Sequence, residues 1–223
     1  MSVLEKLVGL LAPHECLGCG NEGRLLCPSC LKSLPPAKVP APHTSHLSKI
    51  QSVTLYEGLA KDLIWKLKSD GAQAAAYIMA SAMAELLRGA ESVCLVPVPT
   101  AVSRVRQRGY DQAKLIARSL ARQTGFAYAN YLIRCGQAHQ VGANRLIRLQ
   151  QIGGAFRVRQ VFKLKGAKIL LIDDVTTTGA TLDTAAELLK TAGAASVKAL
   201  TFAYAEPPAN QAPSACPLPL YKS

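Results

Sequence analysis

The sequence predicts an α/β fold, a parallel sheet covered by helices, with a small cysteine-rich module in front of it. Three observations predict it. Short apolar strands alternate with helical stretches through the second half of the chain, and right-handed crossovers close that pattern into a parallel sheet buried on both faces. One strand, "AKILLIDD", ends in two acids and runs into "VTTTGATL", a threonine and glycine turn that opens a helix. Four of the seven cysteines fall in the first thirty residues, as two C-x2-C pairs.

The elements follow in order. The start, "MSVLEKLVGLLAP", reads as a short amphipathic helix, and "SLPPAKVPAPHTSHLS" as a proline-rich extended connector. "QSVTLY" is then a strand, "GLAKDLIWKLKS" a short helix with Leu63, Ile64 and Leu67 on one side, and residues 72–87 a long alanine-rich helix. "SVCLVPVP" is a strand, residues 111–123 a helix, "YLIRC" and "AKILLIDD" strands, residues 180–192 a helix and "SVKALTFAY" the last strand. This division predicts residues 1–34 as helix and cysteine module, 35–49 as linker, 50–205 as the main domain and 206–223 as a disordered tail.

In "CLGCGNEGRLLCPSC", Cys16, Cys19, Cys27 and Cys30 form C-x2-C-x7-C-x2-C. Each pair turns two thiolates toward one point, and glycines 18, 20 and 23 permit the tight backbone. Four thiolates at about 2.3 Å around one ion make a closed tetrahedral site, so a structural zinc is expected. His14, beside the set, reads first as a solvated or capping histidine with substitute ligand as the alternative, and Cys94, Cys135 and Cys216 are scattered away from the set. Disulfides fit less well, because Glu5 and Lys6 interrupt the place where a signal peptide has its apolar stretch.

No apolar run reaches the roughly 18 residues that span a bilayer, and "AYIMASAMAELL" is broken by Glu85. A cytoplasmic protein without a membrane span is expected. The formal charge of +12, from 26 basic and 14 acidic residues, favours an anionic partner such as a phosphorylated metabolite or nucleic acid. The bias is local: across residues 92–172, Asp111 is the sole acid.

The helix opened by "TTTGAT" has unpaired N–H groups and a favourable dipole, which together suit a phosphate. Asp173 and Asp174 would repel that phosphate unless they address sugar hydroxyls or a cation; a 5-phosphorylated ribose meets both demands. The strand, acid pair and Thr/Gly loop resemble the fingerprint of type I phosphoribosyltransferases, which bind phosphoribosyl pyrophosphate (PRPP). The resemblance implies that Asp173 and Asp174 engage the ribose 2′ and 3′ hydroxyls, while Thr176, Thr177, Thr178, Gly179, Ala180 and Thr181 wrap the 5′-phosphate. PRPP also carries a diphosphate and so needs a second anion site. Pro97, Val98, Pro99 and Thr100, with Arg104, are the candidates, and guanidinium groups pair well with phosphate oxygens.

"VPVP", "RGYDQA", "RLIRLQQIGGAFRV" and "DDVTTTGATL", behind four cysteines, are together similar to the ComF family, over about residues 16–204. That resemblance implies a type I phosphoribosyltransferase-like domain with an N-terminal zinc module, and a role in natural transformation, the uptake of single-stranded DNA. Competence-machinery proteins are implied as partners. The chain departs from the family at Asp111 and Gln151, where asparagine is usual, and at His139, where a small hydroxyl residue is common.

Two readings stand side by side. In one, the protein binds PRPP and supports uptake or processing of single-stranded DNA, with Arg106, Arg108, Arg145 and Arg148 as nucleic-acid contacts. Strand binders interleave aromatics with cations; aromatics are 5% of this chain, with Tyr110, Phe126, Tyr128, Tyr131 and Phe156 in the basic region. In the other, it is a phosphoribosyltransferase that transfers phosphoribose to a base or amine and releases pyrophosphate, with magnesium neutralising the diphosphate. Thr177 stands where purine-salvage members usually have an aspartate, which weakens a 6-oxopurine acceptor.

Overall fold

The computed structural model describes residues 14–42, 44–69, 72–135, 156–159 and 161–206. The opening amphipathic helix, His139, Arg145, Arg148, Gln151 and the proline-rich tail with Cys216 lie outside the described residues.

A short helix α1 (Pro28–Lys32) closes the cysteine module. The main body runs β1 (Ile50–Leu55), α2 (Gly58–Leu67), α3 (Ala72–Glu85), β2 (Cys94–Pro97), α4 (Val102–Arg108) and α5 (Gln112–Thr124). It continues with β3 (Leu132–Arg134), β4 (Phe156–Val158), a single 3-10 turn (Val161–Lys163), β5 (Lys168–Thr176), α6 (Ala180–Thr191) and β6 (Ser196–Tyr204).

Four strands form one parallel sheet in the order β1-β6-β5-β2. Helices cover both faces, as the alternating pattern predicts. On one face, Leu63, Ile64, Leu67, Met79, Met83, Ile116 and Leu120 from α2, α3 and α5 meet Leu170, Ile172, Leu200 and Phe202 of the sheet. Alanines 72, 75, 76 and 80 line the buried side of α3, and their small side chains let it lie close to α5. On the other face, α6 buries Leu182, Leu188 and Leu189 against Ile169, Leu171 and Val197.

Three details differ from the sequence-based expectation. "YLIRC" does form a strand, but β3 pairs antiparallel with β4 in a separate two-stranded ribbon, with Leu132 opposite Val158. The parallel sheet is extended beyond β2 instead by residues 127–129, where Leu95 N–H donates to Ala127 O and Ala129 N–H to Leu95 O. Residues 102–108, to which the sequence reading assigns no element, form helix α4. The proline-rich connector is also docked: Pro36 bridges Thr54, Thr54 Oγ1 donates to Pro35 O at 2.8 Å, and Leu47 is buried. It shields the outer edge of β1, where unpaired strand groups invite unwanted pairing.

Candidate phosphoribosyl site and cysteine cluster

The carboxyl ends of β2 and β5 lie side by side, since Val98 N–H donates to Ile172 O at 2.9 Å just where β2 ends. A continuing parallel ladder would send the next free N–H, that of Asp174, to the carbonyl of Val98. The chain turns away at Pro97, and Asp173 Oδ1 takes the Asp174 N–H instead, at 2.9 Å. That local bond bends the first carboxylate back toward the second, so both acids address one place although the strand continues through Thr176.

Their environments diverge. Burial first, then the charge of Asp174 and, farther off, that of Asp111, push the Asp173 carboxyl well above the ordinary carboxylate range. Asp174 Oδ2 is shut off from solvent without a well-aligned hydrogen bond and faces Lys68 Nζ at 3.0 Å. Asp173 is also in register with Thr201, and Thr201 with Ser52. Ser52 Oγ and Thr201 Oγ1 are 2.6 Å apart and buried, a polar row across three strands of an otherwise apolar sheet.

Beyond the acids, Thr176 is buried as the last residue of β5, its carbonyl holding Ala205 N–H at 2.8 Å. The loop proper is Thr177, Thr178 and Gly179, then Ala180 and Thr181 at the start of α6, all exposed but Gly179. Gly179 adopts φ 78°, and a Cβ there would come within 3.0 Å of Ile50 Cδ1, so both conformation and space call for glycine. It brings no side chain to cap α6; Thr178 Oγ1 reaches Ala180 N–H only at 3.4 Å. The N-terminal donors of a twelve-residue helix thus stay available to an anion.

Beside the carboxyl end of β5, Pro97, Val98, Pro99 and Thr100 are held by the residues after α4. Asp111, 7% exposed, caps α5 by accepting Lys114 N–H at 3.2 Å, and the same carboxylate accepts Thr100 Oγ1–H at 3.2 Å and Thr100 N–H at 3.3 Å. Lys114 Nζ sits 3.7 Å from Asp111 Oδ2. From the ribbon, Arg134 Nη1 donates to Pro99 O at 3.3 Å, its guanidinium 5.3 Å above the Phe156 ring.

Arg104, Arg106 and Arg108 do not share one face of α4. In a helix two residues span about 200°, so Arg106 points away from Arg104 and Arg108. Arg104 and Arg106 are exposed, whereas Arg108 Nη1 is buried without a hydrogen-bond partner. Among the basic-region aromatics, Phe156 is buried in the α6-side core and Phe126 packs against the core on the opposite face of the sheet. Tyr128 binds Asn130 through its hydroxyl. The exposed large aromatics among the described residues are Trp65 and Tyr77, on α2 and α3.

Sequence reasoning missed Lys68 and gave Tyr110, Lys114 and Arg134 no site role. Lys68 does carry a signal, as the first residue past the buried Leu67 that ends α2. Asp111 stood out as the lone acid of the basic stretch and as a departure from the family, but its place before "QAKLIA" is also a helix-capping signature.

The four cysteine sulfurs lie within 4.8 Å of one another. Cys19 Sγ and Cys27 Sγ are 3.8 Å apart, the edge of a tetrahedron with metal–sulfur bonds of about 2.3 Å. Cys27 N–H donates to Cys16 Sγ at 3.3 Å. Such backbone donors, with that of Cys19 first, draw the Cys16 thiol down to about 6, while the neighbouring Cys27 side chain, first among several causes, pushes Cys30 up to about 12. Four thiols this close shed all their protons only to a cation, and the donor set fits a structural zinc site. Gly18 is required here, because a Cβ would fall 2.7 Å from Cys30 Sγ. His14 is exposed and contributes its carbonyl to Gly23 N–H.

No helix among the described residues is long and apolar enough to cross a membrane. Residues 71–217 match the phosphoribosyl transferase domain family. Over 152 residues the chain is 31% identical to the competence protein ComFC of Streptococcus pneumoniae, covering 68% of this chain and 66% of that protein. It is 29% identical over 201 residues to the DNA utilization protein YhgH of Salmonella typhimurium, covering 85% of this chain and 79% of that one. A solved adenine phosphoribosyltransferase from Thermoanaerobacter pseudethanolicus aligns at 14% identity with a TM-score of 0.39, over 60% of this chain and 79% of that one. A domain match that takes in residues 97–100 and 173–181, with relatives that reach upstream of it, makes the chain a member of the phosphoribosyl transferase domain family in its ComF branch.

Proposed function

We propose that this chain binds PRPP, or a close phosphoribosyl ligand, across the carboxyl ends of β5 and β2, and does so in the service of uptake or processing of single-stranded DNA. The observation that carries the reading is one constellation. A pair of adjacent carboxylates, the first accepting the backbone N–H of the second, precedes a helix N-terminus without a side-chain cap, and a second loop, pinned by Asp111 and Arg134, leaves the neighbouring strand at the same end of the sheet. In this reading Asp173 and Asp174 accept from the ribose hydroxyls, and the loop Thr177, Thr178, Gly179, Ala180 and Thr181 donates to the 5′-phosphate. Thr176 sets where that loop leaves the strand. Pro97, Val98, Pro99 and Thr100 receive the diphosphate, with Arg104 beside them. Magnesium, when bound with the ligand, neutralises diphosphate charge through the ligand's own oxygens and water.

The names of the relatives, competence and DNA utilization, support the second half of the proposal. Arg104 and Arg106 are exposed on α4 next to the diphosphate loop, and we assign Arg106, Arg108, Arg145 and Arg148 to the nucleic acid, Arg108 through whatever part of its guanidinium reaches the surface. Cys16, Cys19, Cys27 and Cys30 hold a structural zinc. The division at residues 34, 49 and 205, and a cytoplasmic location, belong to the same proposal.

The test is a calorimetric titration of the full chain with PRPP and magnesium, followed by assay of pyrophosphate release against bases and amines. Binding at or below millimolar ligand, lost in Asp174→Ala, is the expected result; no binding by the wild type refutes it. Pyrophosphate release that depends on one acceptor assigns the transferase activity instead of ligand binding alone. For single-stranded DNA, log affinity is expected to fall with log salt by about 0.7 per phosphate contact.

A further inference from the structure

Lys68 is the residue at which α2 ends, with φ −94°. Its Nζ lies 3.0 Å from Asp174 Oδ2, the side chains being 28% and 16% exposed. The lysine is held there by an element from elsewhere in the chain. The Tyr110 hydroxyl donates to Leu67 O at 2.8 Å and Ser69 O at 3.0 Å, sharing its proton between the carbonyls on either side of Lys68. The next residue, Asp111, fixes Thr100 in the loop after β2. Two adjacent residues thus set the position of Lys68 on one side and of the diphosphate loop on the other.

An ammonium paired with a carboxylate is neutral as a unit, and the pair is only partly open to solvent. When sugar hydroxyls donate to the carboxylate, they satisfy its oxygens without supplying charge, so the ammonium loses a hydrogen-bond acceptor. A ligand that brings phosphate groups to the same cleft offers a stronger one: phosphate oxygens bind cations with short, charge-assisted hydrogen bonds. Lysine suits such an exchange because its point charge rides on a flexible four-carbon stem and is not committed to a planar fork.

We propose that Lys68 is a ligand-binding residue of this site, which neutralises Asp174 in the free protein and passes to a phosphate oxygen when the ribose hydroxyls take that carboxylate. Tyr110 is its positioning residue. The proposal rests on the phosphoribosyl-binding reading above. It explains why an acid intended for hydroxyl groups carries an ion pair, and why a tyrosine in the middle of "RGYDQA" reaches across to the end of α2.

The experiment titrates PRPP with magnesium, and separately ribose 5-phosphate, into wild type, Lys68→Met, Lys68→Arg and Tyr110→Phe, with a thermal melt of each. Lys68→Met is expected to weaken PRPP binding by about tenfold or more, the loss of one charge-assisted bond to phosphate. Lys68→Arg is expected to recover most of it, and Tyr110→Phe to lose less than Lys68→Met. A loss shared by ribose 5-phosphate assigns Lys68 to the 5′-phosphate, and a loss confined to PRPP assigns it to the diphosphate; both carry the proposal. If wild type binds PRPP and Lys68→Met binds it equally well, the ion pair is structural and this proposal alone falls. If wild type binds no PRPP, both fall. Should Lys68→Met fail to fold, Lys68→Gln and Tyr110→Phe decide by the same criteria.

Discussion

Asp173 shows how the site is built against stability. Its carboxyl is raised above the ordinary carboxylate range by burial and by the adjoining Asp174, so the folded state holds that proton more tightly than the unfolded chain does. The stabilising contribution of the protonated form is complete below the unfolded pKa. It is lost as pH rises through the raised folded value. Stability is therefore expected to decline over that window, and Asp173→Asn to flatten the decline and raise the melting temperature at neutral pH by a few degrees. The same variant should lose PRPP affinity. Thermal melts across pH, run beside titrations, check both halves; an Asp173→Asn protein no more stable than wild type at neutral pH would contradict the assignment.

At the scale of elements, the loop after β2 owes its shape to the start of α5. A carboxylate at position 111 caps the helix and also takes the backbone and hydroxyl donors of Thr100. Asp111→Ala removes a cap worth about 1 kcal/mol, with up to about 2 at the upper end, and leaves Thr100 N–H without its acceptor, while the hydroxyl keeps Gln112 Oε1 at 3.0 Å. Asp111→Asn keeps an oxygen for Lys114 N–H and is expected to cost less, while losing the Lys114 pairing and the oxygen that accepts Thr100 N–H. Denaturant unfolding of the two variants measures the difference, and equal losses would show that charge, not capping, is what holds the loop. The asparagine usual in the family at this position fits the capping account, since the oxygen is common to both side chains.

For the molecule as a whole, the cysteine module is not a detachable bead. Leu25 and Leu26, between the two cysteine pairs, are buried in the same core as Leu63, Met79 and Phe202, and Leu17, Cys27, Cys30 and Leu31 pack against it. Burying a leucine contributes about 1.5 to 3 kcal/mol, so a module that opens takes core contacts of α2 and α3 with it. Removing zinc with a chelator, or Cys27→Ser, is expected to lower the melting temperature of the entire chain in one transition. Calorimetry showing a small separate transition, with the main one unmoved, would overturn this. Because α2 runs from the module at Leu59 to Lys68 at the acid pair, loosening at the cysteines should also reach the ligand site.

Much of this was legible without coordinates. Apolar runs placed β2, β5 and β6, and apolar period the long helices, because a strand buried on both faces reads as a continuous apolar run wherever it sits; β1 is an edge strand whose buried residues, Ser52 and Thr54, are polar. The acid pair, the Thr/Gly loop and the two C-x2-C pairs are local chemistry, their donors and ligands adjacent in sequence. The rest depends on contacts between distant residues. Nothing within "YLIRC" says that its partner is Phe156–Val158 and not the main sheet, since both environments accept the same side chains. Nor does "KLKSD" announce that Lys68 meets Asp174, more than a hundred residues later, with Tyr110 holding the turn between them. Sequence determined which groups are present and how each segment prefers to fold; tertiary structure decided which charges face one another, because that depends on where the sheet order β1-β6-β5-β2 brings the strand ends.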